Sequence, residues 1–210
     1  MRGLFITFEG GEGVGKSTQM AWLESRLKEE GIMVRTTREP GGSALGRKLR
    51  EIVLSDNMDS KAELLIYLAD RMQHVSEKLL PWLREPVVVL CDRFIDSSEV
   101  YQGISRGLGR PLVRKFHELL LPPDLWPQLT ILLDMVPQEG LKRAAQRSGQ
   151  TDRLESENLE FHLKVRQGFL TQAQNEPRRI IIVDASGPIA EINACLWQVV
   201  QPWVRAWQQT

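Results

Sequence analysis

The apolar run Leu4-Phe5-Ile6-Thr7-Phe8 has the length of a strand and leads straight into Glu9-Gly10-Gly11-Glu12-Gly13-Val14-Gly15-Lys16-Ser17-Thr18. Gly10 to Ser17 fits the pattern G-x-x-x-x-G-K-[ST], and residues 16–30 beyond it are compatible with a helix. Strand, loop and helix in this order suit the binding of a chain of phosphates. Glycines let backbone N–H groups turn inward and approach phosphate oxygens without a Cβ in the way. The helix that follows aims its positive end at the same anion. Lys16 adds a mobile cation for the β- and γ-phosphates, and the Ser17 hydroxyl is placed to ligate Mg²⁺. A glycine-rich turn that bound nothing would have no need of Lys-Ser after its last glycine. Residues 10–18 are therefore expected to hold a nucleoside triphosphate.

At 210 residues the chain suits one domain, or a domain with a small lid. Lys plus Arg number 27 and Asp plus Glu 27, a zero formal charge that argues against a general nucleic-acid or membrane-surface binder. Cys91 and Cys195 have neither metal nor redox spacing and read as reduced, packed residues. No signal peptide or uninterrupted apolar span is visible, so a cytoplasmic location is expected.

Further strands are expected at 32–37, 87–91, 129–134 and 180–183. The 87–91 run is continuously apolar, as a strand covered on both faces should be. Helices are expected at 44–54, 61–83, 112–121, from Pro137 onward, 155–174 and 189–207, with Pro81 kinking or ending the second. Residues 94–109 read as a polar, glycine-broken stretch and 148–151 as a mobile loop. Strands alternating with helices predict one α/β domain spanning 1–210, a five-stranded parallel sheet flanked by helices.

Polar groups in such sheets gather at the carboxyl ends of strands. Here they are Glu9 with the phosphate loop, then Arg38, then Asp92-Arg93. Asp92 has the position of the acidic partner of a phosphate loop, which helps hold Mg²⁺. Arg143, Arg147 and Arg153 surround the mobile loop, and a lid at about 143–154 would bring cations to the reacting phosphates as water leaves.

Beyond the loop, the chain carries Thr37-Arg38-Glu39-Pro40-Gly41-Gly42, Ala69-Asp70-Arg71, Asp92-Arg93-Phe94, Asp96-Ser97-Ser98, Tyr101-Gln102-Gly103, Arg106-Gly107 and Asp152-Arg153-Leu154-Glu155. In this order and spacing they resemble the thymidylate kinases nearly end to end. The resemblance implies a P-loop NTPase fold, ATP and dTMP as substrates, Mg²⁺, dTDP production toward dTTP, and a homodimer. It assigns Glu12 to the neighbourhood of the acceptor phosphate and its metal, and Arg38 and Arg93 to clamping that phosphate. Arg71 would bond the thymine carbonyl, Tyr67 stack on the base, and Ser98 and Gln102 read the pyrimidine edge. Tyr101 would crowd the sugar's 2′ position. Gly13, where a loop arginine is lacking, matches the bacterial arrangement in which Arg143, Arg147 and Arg153 supply the transition-state cation. Glu155 would assist the metal alongside Ser17, Glu12 and Asp92. Phe94, Glu99 and Ala145 depart from the common pattern, Glu99 by bringing a charge near the base pocket.

Two other readings compete. A related kinase could act on another nucleotide or on a deoxynucleoside, although the latter usually carries Glu-Arg-Ser where this chain has Asp92-Arg93-Phe94. A nucleotide-binding module without transferase activity is disfavoured, because neither Asn-Lys-x-Asp nor Leu-Ser-Gly-Gly-Gln occurs.

Overall fold

The apolar runs pair with one another. A computed structural model describes residues 2–123, 125–148 and 153–209, the side chains of Arg147 and Ser148 excepted. In it β1 (Leu4–Glu9), β2 (Val34–Arg38), β3 (Val88–Asp92), β4 (Leu129–Asp134) and β5 (Ile180–Asp184) form a parallel sheet in the order β2-β3-β1-β4-β5. β1 lies in the middle, paired with β3 on one side and β4 on the other. Both its faces are covered, which is why Leu4, Phe5, Ile6 and Phe8 place apolar side chains on both sides rather than alternating with exposed polar ones. β2 is an edge strand and carries Arg35, Thr36, Thr37 and Arg38. The expected five-stranded α/β sheet is present.

The helices are α1 (Lys16–Glu29), α2 (Ala44–Ser55), α3 (Ser60–His74), α4 (Leu80–Leu83), α5 (Ile95–Ser98), α6 (Arg110–Leu120), α7 (Pro137–Ser148), α8 (Leu159–Asn175) and α9 (Ile189–Gln208). Leu4, Ile6 and Phe8 of β1 pack on one face with Leu23 and Leu27 of α1 and Leu196 and Val200 of α9. Phe5 faces the other side, with Val75, Leu79, Leu83 and Phe94. Among the described residues no helix is long and apolar enough to cross a membrane.

Four local features differ from expectation or sharpen it. Residues 94–109 are largely helical: α5 runs into a π-helical stretch, Glu99–Ser105, and Asp96, Ser98, Glu99 and Gln102 are buried. Polarity there reflects buried hydrogen bonding rather than solvent exposure. Of the two outcomes expected at Pro81, the helix is distorted rather than ended there. A π-helical turn at Val75–Leu79 precedes it, widening the backbone where proline lacks an N–H and crowds the preceding turn, and α4 runs on to Leu83. α8 starts at Leu159 rather than 155, since the Asn158 side chain caps it by accepting from the Phe161 N–H at 2.9 Å. Both cysteines are free as expected, but Cys195 is exposed on α9 and only Cys91 is packed inside.

Candidate active site

The loop after β1 turns where only glycine fits. At Gly13 φ is +68°, and a Cβ would stand 1.8 Å from the Gly140 carbonyl oxygen. The start of α7 thus closes on the loop, and no arginine can be housed at this position. Lys16 curls back over the loop, its Nζ donating to the carbonyls of Gly11 at 2.7 Å and Gly10 at 3.3 Å. Burial, with Arg93 nearby, lowers its pKa from the usual lysine value. Ser17 Oγ donates to Asp92 Oδ2 at 3.3 Å, while the buried Asp92 Oδ1 has no hydrogen-bond partner among the described residues. Val14 is buried beneath the loop, and Thr18 is exposed on the first turn of α1.

Two carboxylates, Glu9 at the end of β1 and Glu12 on the loop, have pKa values shifted in opposite directions. Glu9 is completely buried, accepts from the Phe94 N–H at 2.7 Å and bonds the Ser97 hydroxyl. Burial, then the neighbouring Asp96 charge, pushes it up to about 8. Asp96 in turn makes a bidentate ion pair with Arg179, at 2.7 Å on each oxygen. Burial also acts to raise the pKa of Glu12, but Arg93, Lys16 and the Tyr101 hydroxyl outweigh it and hold this carboxyl at about 2. Glu12 Oε1 accepts from Arg93 Nη2 at 2.6 Å and from Tyr101 Oη at 2.8 Å. Arg93 also donates to Gly10 O and Ser97 Oγ and lies 5.0 Å from the centre of the Tyr101 ring. It is the one non-glycine residue with positive φ, 68°, among the described residues, a conformation that costs on the order of 1–2 kcal/mol.

Glu12, Lys16, Ser17, Arg38, Asp92, Arg93 and Glu155 all line one polar cavity of about 240 Å³ at the carboxyl ends of β1, β2 and β3. Arg38 is exposed at its rim. A second, narrower cavity of about 70 Å³ adjoins it, and Tyr67, Arg71, Ser98, Tyr101 and Gln102 line it together with Glu12 and Arg93. Arg71 is buried in a dense network. Its Nε meets Glu39 Oε2 at 2.6 Å, Nη1 meets Ser98 Oγ at 3.0 Å and His117 Nε2 at 2.5 Å, and Nη2 meets the Phe94 carbonyl at 2.9 Å. Those four bonds leave one of its five N–H groups over, on Nη2. Because arginine only donates, His117 accepts through Nε2 as a neutral ring; burial and Arg71 push its pKa down to about 2. Glu39 also accepts from His74 Nδ1 at 2.8 Å. Glu99 does not line this cavity and pairs instead with Arg110, Arg114 and Gln172.

The lid arginines separate. Arg143 donates to the carbonyls of Ala185 at 3.1 Å and Ser186 at 3.2 Å and lines neither cavity. Arg153 is pinned to α2 and α3, donating to Val53 O at 3.0 Å and Glu63 Oε2 at 2.7 Å. The Arg147 side chain and residues 149–152, including Asp152, lie outside the described residues. Ala145 is exposed on α7.

Sequence reasoning missed Glu39, which lines both cavities, and Glu63, His74 and His117, the buried groups behind their walls. Glu63 had a readable signal, standing four and eight residues before Tyr67 and Arg71 on one face of α3. His117 had none, since it sits in an ordinary amphipathic helix.

The thymidylate kinase family model matches residues 8–195. A thymidylate kinase of Synechococcus sp. (strain JA-2-3B'a(2-13)) is 51% identical over 200 residues, covering 95% of each chain. One of Deinococcus radiodurans is 50% identical over 201 residues, covering 95% of this chain and 97% of that one. The crystal structure of thymidylate kinase from Ehrlichia chaffeensis superposes with a TM-score of 0.77 at 31% identity, covering 95% of this chain and 98% of the other. By sequence and by fold alike, this chain belongs to the thymidylate kinase family.

Proposed function

We propose that the chain transfers the γ-phosphoryl group of ATP to the 5′-phosphate of dTMP, giving ADP and dTDP on the way to dTTP, through the residues around its two adjoining cavities. The observation that carries the residue assignment is the convergence of Lys16, Ser17, Arg38, Asp92, Arg93 and Glu12 on one cavity beside the phosphate loop. The acceptor is already an anion, so no strong base is needed. The protein's task is to align the acceptor oxygen and to neutralise spreading charge. Residues 10–18 cradle the ATP phosphates, with Lys16 exchanging its loop carbonyls for phosphate oxygens. Arg93 exchanges Glu12 for the dTMP phosphate, helped by Arg38. Arg71, Ser98 and Gln102 read the pyrimidine edge, Tyr67 stacks on the base, and Tyr101 crowds the 2′ position.

The residues present fit Mg²⁺. Ser17 Oγ and Asp92 meet at 3.3 Å, and the buried Asp92 Oδ1 is an acceptor still lacking a donor among the described residues. Among those residues there is no cluster of three acidic, histidine or cysteine ligands, so phosphate oxygens and waters would have to supply the remaining ligands. Ser17 and Asp92 would hold the ion, with Glu12 and Glu155 beside it, and the ion would offset negative charge between the β- and γ-phosphates. With position 13 closed to a side chain, arginines of the 143–154 lid carry the transition-state charge: Arg147 with Arg143 and Arg153, which also secure the lid's two ends. We assign the chain one domain, with Leu65 of α3, 57% exposed, as part of a homodimer contact. Its two free cysteines favour the reducing cytoplasm.

Incubation with ATP, Mg²⁺ and each of dTMP, dUMP, dCMP, dGMP and thymidine tests the reading. ADP release should depend on dTMP, and release with water alone would sink it. Arg93→Ala should lower kcat/KM for dTMP by about a hundredfold or more while leaving the KM for ATP nearly unchanged. An equal loss toward ATP would overturn the assignment of Arg93 to the acceptor.

A further inference from the structure

We propose that Glu63, which lines neither cavity, sets the preference for thymine over cytosine by fixing which end of the Gln102 amide faces the base. The inference rests on the reading, made above, that Gln102 meets the pyrimidine edge. Glu63 lies in the first turn of α3 and is 1% exposed; Gln102 lies in the π-helical stretch and is equally buried. Gln102 Nε2 donates to Glu63 Oε1 at 2.8 Å. The other oxygen of Glu63 faces two guanidinium groups, Arg153 Nη2 at 2.7 Å and Arg106 Nε at 3.4 Å. A carboxylate held in this way can only accept hydrogen bonds. It therefore draws the NH₂ end of the Gln102 amide toward itself. The carbonyl end, Oε1, is left as the acceptor for the cavity that Gln102 lines with Arg71 and Ser98.

The resulting pattern is one acceptor from Gln102 and one donor from Arg71, whose Nη2 keeps an N–H beyond its four protein bonds. Thymine and uracil offer a donor at N3 and an acceptor at O4, which match. Cytosine offers an acceptor at N3 and a donor at N4, so both contacts become like against like. Unpaired polar groups in a buried site are costly, and they are a strong source of discrimination. Glu63 is thus a positioning residue. It acts through the Gln102 amide, and the same carboxylate anchors the lid-end Arg153.

The test compares kcat/KM for dTMP, dUMP and dCMP with saturating ATP in the full chain. Glu63→Gln lets the residue 63 side chain donate or accept, so the Gln102 amide is free to turn over. The dCMP:dTMP ratio should rise by about tenfold, while the dUMP:dTMP ratio stays constant because uracil presents the same N3–H and O4. Glu63→Met, which removes the amide's partner, should move the first ratio in the same direction. Each ratio is taken within one preparation, so a partly unfolded sample does not alter it. An unchanged dCMP:dTMP ratio, or a parallel rise in both ratios from general loosening, would overturn the proposal. Gln102→Ala separates the two levels. It should raise KM for dTMP several-fold, and if it does so while Glu63→Gln leaves selectivity alone, only the role of Glu63 is lost. If Gln102→Ala changes nothing for any substrate, the reading of Gln102 fails and the role of Glu63 falls with it.

Discussion

The phosphate-side cavity is about 240 Å³ and walled by Lys16, Arg38, Arg93 and four carboxylates, Glu12, Glu39, Asp92 and Glu155; the base-side cavity is about 70 Å³ and walled by Arg71, Ser98, Gln102, Tyr67 and Leu154. They share Glu12, Glu39, Arg50 and Arg93, yet their polar groups are held differently. On the base side Arg71 spends four hydrogen bonds on Glu39, Ser98, His117 and Phe94, and Gln102 is tied to Glu63. On the phosphate side Lys16 rests on loop carbonyls and Arg93 on Glu12, partners that an incoming phosphate can replace. On the proposed reading, shape and pattern would be recognised by groups locked in advance, which lowers the entropic cost of binding. Charge, on that reading, would be recognised by groups kept neutralised until a stronger anion takes the partner's place.

Breaking the locked side should cost stability most. Glu39→Ala leaves Arg71 buried without its carboxylate, a loss of about 3–5 kcal/mol that lowers Tm by roughly 6–20 °C. A calorimetric Tm within a degree or two of wild type would mean that the base-side network is not preformed. Removing a cation from the exchangeable side should instead spare the fold. Lys16→Ala should lower kcat by about a hundred- to a thousandfold with little change in Tm. A variant retaining more than about a tenth of wild-type turnover would take Lys16 out of the mechanism.

Acid titration distinguishes the two sides more finely. The folded-state pKa of Glu12 lies below its ordinary 4.5, at about 2, so the folded state favours the anion. Its contribution, on the order of 3 kcal/mol, is complete above pH 4.5 and is lost as the pH falls through about 2. Urea unfolding across that window should show a shallower pH slope in Glu12→Gln; an unchanged slope would argue that Arg93 does not hold this carboxylate. Glu9, raised to about 8, acts with the opposite sign and costs stability as the pH climbs from 4.5 toward 8. The smallest effect belongs to the rim. Arg38→Ala should raise KM for dTMP by about tenfold at low ionic strength and by less in high salt, since Arg38 is exposed. A salt-independent change would place Arg38 in a drier contact than the rim provides.

Much of the phosphate side was legible because its chemistry is local. The loop needs glycines at positive φ, and Lys16 and Ser17 must follow them directly, so residues close in sequence declare the site. The central strands were legible because burial on both faces favours apolar runs, as in residues 87–91. Residues 95–105 were not. Asp96, Glu99 and Gln102 carry the polarity of a loop, and their partners Arg179, Arg110 and Glu63 lie far away in sequence or on another helix. Arg153 shows the same limit: a long cation beside a lid suits a phosphate equally with a carboxylate, and Glu63 lies 90 residues earlier.

By itself the sequence determined the order of the strands and of the longer helices, the phosphate loop and the family, because each depends on side-chain periodicity or on spacings of a few residues. Only the tertiary structure decided which buried acid faces which arginine, that Gly13 is sealed by Gly140, and that Glu99 pairs with Arg110 and Arg114 instead of lining the narrower cavity. Those choices depend on distances across the sheet between residues remote in the chain. A buried charge takes whichever partner the packed fold brings within hydrogen-bond reach.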